Sequence, residues 1–198
     1  MKYISVVDTA KIIRRCLKEA FPGIKFSVRS SSYSMGASID VKWTDGPAEV
    51  QVEAVVGRFK GSYFDGMIDY KGSVYAEYNG EPVHFMSDYI HCHREYSDEA
   101  VERAIDTVYA QFRSLFEELS IDKPSTEDYN CGHLYDQNHS LVRYFGSLVD
   151  NLQGLIRKRL DKTARVLTQH SKTAASIRIT GSDGYGQCGL QQNRHEAA

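Results

Sequence analysis

Nowhere in the 198 residues is there a run of about 18 apolar side chains, roughly the length a helix needs to cross a bilayer. The opening stretch "MKYISVVDTAKIIRR" also lacks the apolar core and small-residue cleavage site of a secretory signal. The expectation is a cytoplasmic protein with no membrane partner. Cysteine is scarce: Cys16, Cys92, Cys131 and Cys188 are scattered without a C-x-x-C pair, which argues for thiols and against a disulfide framework. No G-x-S-x-G elbow, P-loop or G-x-G-x-x-G turn occurs, and no helix is signalled after "GSDGYG" near the C-terminus. Nucleotide hydrolysis is not expected, and neither is a cofactor.

What is present is the composition of an ordinary globular chain, 41% hydrophobic and 25% charged, long enough for one well-buried domain or a domain with an appended segment. The formal net charge of −2 is unevenly spread: residues 1–96 balance to zero, residues 97–136 are strongly acidic and residues 137–198 are basic. Such asymmetry marks a basic nucleic-acid face, an acidic mimic of one, or two segments attracted to each other. We read it first as the last of these.

Periodicity divides the chain. From Asp8 or Thr9, Ile12, Ile13, Cys16, Leu17, Ala20 and Phe21 recur at helical spacing until "FPG". Ile24, Phe26 and Val28, then Ala37, Ile39, Val41 and Trp43, alternate with polar residues, as in an antiparallel pair with one buried face. A second helix is expected after Asp45 and Pro47. "VYAEYNGEPVHF" holds an Asn-Gly hairpin turn, and "DYIHCHREY" continues extended. "SDEAVERAIDTVYAQFRSLFEEL" is the clearest helix, with a Ser cap and an acidic first turn. The fold class expected is α+β: an antiparallel sheet of about four strands with helices mainly on one face, plus a C-terminal helix. Residues 1–119 form the α+β domain in this reading and 120–137 a linker. Residues 138–172 form a helical segment, and 181–198 a poorly ordered tail. Leu141, Phe145, Leu148, Leu152 and Leu155 make a heptad-like seam, so the 141–167 helix is a candidate homodimer contact.

Four kinds of chemistry are open. His91 and His93 in "HCH", with Cys131 and His133 in "CGH", are candidate zinc ligands, although the gap between the pairs is long. In "FDGMIDYKG", Asp65, Asp69 and Lys71 stand in the order of a metal-dependent nuclease site, but two acids four residues apart in one turn-like stretch fit better an Asp65-Gly66 turn that packs Phe64 and Met67 inward. Cys92 between two histidines gives no triad. In "LIRKRLDKTARVL", Arg157, Lys158, Arg159, Lys162 and Arg165 lie within about two and a half helical turns and suit DNA phosphates.

The junction "LKEAFPGIKFSVRS", the passage "SYSMGASIDVKWTDGP", the "FDGMIDY" turn and the closing "REYS" occur in an order and with gaps that resemble the large polyvalent protein-associated domain twenty-nine family, over residues 1–97 or so. Its members are found in phages and conjugative elements. The resemblance implies a role on entry into a new host cell, such as shielding the element by binding a host defence protein or complex. It brings no catalytic residues. The reading is a non-enzymatic binding protein of a mobile genetic element. The alternatives are a nucleic-acid-binding accessory protein and a metal-dependent nuclease. Within it, Ser30–Gly36 reads as a seven-residue loop, and Arg29, Ser32, Tyr33 and Ser34 are the candidate binding surface because hydroxyls, a ring and a guanidinium suit adaptable recognition.

Overall fold

A computed structural model describes residues 1–135 and 151–183, which fall into two compact units. The first comprises Met1–Trp43, Glu49–Arg94 and the chain from Leu167 onward; the second comprises Thr44–Ala48 and Glu95–Val166. The class is α+β, as expected. The single antiparallel sheet of about four strands is not what forms.

The first unit holds two sheets. Strand β1 (Lys2–Ile4) lies parallel to β6 (Glu81–Phe85), which pairs antiparallel with β5 (Tyr70–Tyr78). Strand β5 also takes β4 (Ser62–Asp65) and β8 (Ile177–Ser182) as antiparallel partners, completing a five-stranded mixed sheet. Strands β2 (Ser27–Tyr33), β3 (Gly36–Thr44) and β7 (Tyr89–Glu95) form the other sheet in that order. Bonds at its two ends run in the same sense along both strands, Asp88 N–H to the Ala37 carbonyl and Asp45 N–H to the Glu95 carbonyl, so β7 lies parallel to β3. Period-two alternation identifies strands but does not say which strands pair, and a three-residue β1 and a distant β8 are too short to stand out.

Helix α1 (Val6–Ala20) starts earlier than expected because Ser5 is its cap: the Ser5 Oγ accepts the Asp8 amide at 3.1 Å. Its buried stripe of Ile13, Cys16 and Leu17 packs with Val28, Ile39, Val41 and Trp43, the inward residues of β2 and β3. Helix α2 (Glu49–Val56) adds Val52, Val55 and Val56, and a 3-10 turn, Gly57–Phe59, adds Phe59. Asp45 and Pro47 precede α2 rather than open it, Asp45 taking a φ of 57°. The Asn79-Gly80 turn has both residues at positive φ, as its hairpin type requires.

In the second unit the long expected helix is two. Helix α3 (Asp98–Gln111), capped by Ser97, gives way at Phe112 to α4 (Arg113–Glu118). The stretch read as a linker contains α5 (Thr126–Asn130), closed by a Ser125/Asp128 capping box. Helix α6 (Leu152–Thr163) buries Leu152, Ile156 and Leu160 with Val101, Ile105 and Val108 of α3 and Phe116 of α4. The two described residues of the heptad seam, Leu152 and Leu155, are thus used inside the unit, while Leu141, Phe145 and Leu148 lie outside the described residues. Back in the first unit, a short α7 (Lys172–Ala175) leads into β8, so Gly181 and Ser182 are strand and not tail. No described helix is long and apolar enough to cross a membrane.

Candidate functional site

Strand β2 continues to Tyr33 and β3 begins at Gly36, with Tyr33 opposite Gly36 in register. The expected seven-residue loop is therefore a two-residue turn, Ser34–Met35, and the serines are strand residues. Of the predicted surface, Arg29 and Tyr33 share the outward face of β2, Ser32 belongs to the opposite face, and Ser34 is in the turn. All four are exposed.

What fixes this tip is Asp88, just before β7. Its Oδ2 accepts the Ala37 amide at 3.0 Å; its Oδ1 accepts the Ser62 hydroxyl at 3.0 Å and lies 2.8 Å from the Lys71 ammonium. Partial burial alone would raise the Asp88 carboxyl, but Lys71, the Ala37 amide and Ser62 together outweigh it and hold the group below its ordinary value. A Cβ at Gly36 would crowd the Asp88 carboxylate and the Tyr33 ring, so a larger residue there would push one of these side chains aside. Ala37 opens β3, while Ser62 and Lys71 belong to β4 and β5. One carboxylate thus ties the β2–β3 hairpin to the β4–β5 hairpin.

Both hairpins end in exposed apolar side chains. On the first, Tyr33 and Met35 are 50% and 87% exposed; on the second, Phe64, Met67 and Ile68 are 55%, 95% and 57% exposed. The inward packing expected of Phe64 and Met67 does not occur, because the turn is closed by polar atoms: Asp65 Oδ1 accepts the Met67 amide at 3.0 Å and Asp69 takes a φ of 50°. A second anchor holds the same hairpin. Asp183, following β8, accepts the Ser73 amide at 2.8 Å and the Tyr63 and Tyr70 hydroxyls at 3.3 Å each. The Ser73 amide foremost, with the two hydroxyls, holds the Asp183 carboxyl below its ordinary value.

The other predicted residues are placed as follows. Lys71 faces Asp88, away from the nuclease arrangement with Asp65 and Asp69. His91 and His93 stack along β7, ring centroids 6.2 Å apart. Cys131 and His133 belong to the second unit, where His133 Nδ1 is 3.5 Å from Asp128. Among the described residues no group of three or more His, Cys, Asp and Glu side chains converges to hold a metal. Burial pushes the Cys92 thiol up to about 12, which keeps it protonated and a poor nucleophile. On α6, Arg157 lies over the Tyr96 ring at 5.4 Å and 3.8 Å from Asp161; Lys158 and Lys162 are exposed at i and i+4, and Arg165, also exposed, lies beyond the end of the helix. Arg159 is half-buried. Sequence reading missed Asp88 and Ser62, since no local pattern links them to Ala37 and Lys71. Exposed Met67 and Ile68 were visible only as apolar letters in a turn.

The family model for large polyvalent protein associated domain 29 matches residues 4–97, a little under half of the chain, which bears out the resemblance read from the sequence. The match spans both hairpins and Asp88. No curated protein and no solved structure matches the chain.

Proposed function

From a match to large polyvalent protein associated domain 29, which associates the chain with phages and other mobile elements, we propose that this protein is a non-enzymatic binding module that blocks a host defence protein or complex by occupying it. The observation that carries the reading is the pair of apolar hairpin tips held by Asp88. An exposed apolar side chain lacks hydrophobic stabilisation in water, and the five at the ends of these two hairpins, Tyr33, Met35, Phe64, Met67 and Ile68, are apolar surface of the kind that marks interaction sites. Methionine and tyrosine are also the side chains that adapt to, and anchor in, a partner's pockets. Pinning both turns before contact lowers the ordering entropy of binding. Occlusion needs no catalytic set, and the reacting groups that a hydrolase would require are committed elsewhere: Lys71 to Asp88, Cys92 to the core side of its strand. Action would be in the host cytoplasm.

The test is capture by the immobilised protein from a nuclease-treated bacterial lysate, with bound species identified by mass spectrometry. One stoichiometric protein from a defence system supports the reading. Retention only after DNA or RNA is restored overturns it.

A second reading, a nucleic-acid accessory protein acting through α6, has the exposed Lys158 and Lys162 of that helix, with exposed Arg165 just beyond it, in its favour. It requires duplex binding that falls steeply with salt and is lost in Lys158→Glu/Lys162→Glu. Neither result is expected of the occlusion module.

A further inference from the structure

The outward face of the β2–β3–β7 sheet is chemically unlike the hairpin tips. Its inward side is core: Val28, Ile39, Val41 and Ile90 are buried there. On its outward side no position carries Leu, Ile, Val or Met. Serine and threonine hydroxyls take two of the four outward positions on β2, Ser27 and Ser31, and two of the five on β3, Ser38 and Thr44; apart from Gly36 the rest are rings and charges. Covering such a face with an apolar protein surface would strand polar groups without partners, which is costly. A ligand for it must present π faces and hydrogen-bonding groups together.

Along β7, alternation puts Tyr89, His91 and His93 on this side. Their rings form a ladder: Tyr89 and His91 are 6.1 Å apart with planes 11° from parallel, and His91 and His93 are 6.2 Å apart with planes 23° from parallel. Tyr89 is 41% exposed, and Tyr33 adds a ring at the end of β2. Arg29 and Lys42, exposed on the neighbouring strands, supply two cations. Asp40, opposite Arg29 and 4.0 Å from His93, and Glu95 keep the net charge of the face small.

We propose that this sheet face binds single-stranded nucleic acid, with unpaired bases stacking on the Tyr89–His91–His93 ladder and Arg29 and Lys42 each meeting a phosphate. Bases stack on flat rings without regard to sequence, and a row of rings on one strand serves successive bases. In a duplex the bases are already stacked and paired, so the ladder has nothing to take. With two cations and two carboxylates, stacking and not charge supplies the affinity, which sets this face apart from the basic row on α6.

The test is fluorescence anisotropy with a labelled mixed-sequence 12-nucleotide DNA, the same sequence as RNA, and the DNA annealed to its complement. The expected result is binding of at least one single strand, with the duplex at least about tenfold weaker. With two phosphates engaged, the logarithm of affinity should fall against that of salt with a slope no steeper than about −1.5. Tyr89→Ala/His91→Ala should weaken single-strand binding by about tenfold or more, while Tyr89→Phe retains it. All of these positions are exposed, and circular dichroism verifies that each variant is folded. Equal binding of the duplex, a steep salt slope, indifference to Tyr89→Ala/His91→Ala, or no binding of either single strand at micromolar protein would each overturn the proposal. Whether the DNA or the RNA binds more tightly identifies the source.

Discussion

Ala37 and Asp88 exchange two hydrogen bonds: the Ala37 amide donates to Asp88 Oδ2 at 3.0 Å, and the Asp88 amide donates to the Ala37 carbonyl at 2.8 Å. The exchange joins the first residues of β3 to the entrance of β7, and the other carboxylate oxygen reaches Ser62 and Lys71. Removing that carboxylate in Asp88→Ala leaves the Ala37 amide without its side-chain acceptor and the buried Ser62 hydroxyl with only the Asp88 backbone carbonyl, at 3.4 Å. The expected loss is about 1–3 kcal/mol in urea unfolding. Lys71→Met, which removes a side chain that is 43% exposed, should cost less.

Acid stability follows from the same group. A carboxyl held below its ordinary value contributes stability that is fully present above its unfolded pKa, about 3.9, and is lost as pH falls through the lower folded one. Asp183 and Glu19 are shifted the same way, Glu19 chiefly by the Thr173 amide. Stability should therefore hold from pH 7 to about 4.5 and decline below that. Asp88→Asn should start lower and lose less over the acid range. A parallel decline in both proteins would contradict the assignment.

The last strand belongs to the first unit's core. Ile177 is 4% exposed, β8 pairs with β5 from Val74 to Tyr78, and Glu19 accepts bonds from Ser171 and Thr173 at the start of α7. Ile177→Ala should cost about 2–5 kcal/mol. Truncation after residue 166 should do more, by leaving one edge of β5 unpaired, and is checked by thermal melting and by aggregation.

Gly61 sits where no side chain fits: a Cβ would lie 1.6 Å from the Phe85 carbonyl oxygen. Its amide and carbonyl already bond Ser87 and Val74 at 2.8 Å each, so the backbone has no room to retreat. Gly61→Ala should destabilise by at least about 1–3 kcal/mol, measured by denaturant midpoint. Gly57→Ala, with open space at the same distance, serves as the comparison.

Much of the local structure was legible because it is local. Alternation located β2, β3 and β7, the Asn79-Gly80 pair located the β5–β6 turn, and Ser97 with Asp98 and Glu99 located the start of α3. The long helix was over-read, since Phe112 continues the apolar spacing while its backbone leaves the helix at φ −113°, ψ 22°. The hairpin tip was misread for the opposite reason: serines favour loops by composition, yet here they extend β2 outside the core. Strand β8 had a faint signal in "IRIT", two isoleucines at alternate positions, too short to rank above the helix expected before it. The site itself was the least legible part. Asp88 works through Ala37, Ser62 and Lys71, partners brought together by strand pairing that periodicity does not specify.

The most direct measurement compares capture of a stoichiometric protein partner from nuclease-treated lysate by the wild-type chain and by Met35→Ser/Met67→Ser. Both side chains are almost fully exposed, so the substitutions should change folding stability by no more than about 0.5 kcal/mol. The account predicts that the partner held by the wild type is lost from the variant. Retention of the same partner by a folded variant would contradict it.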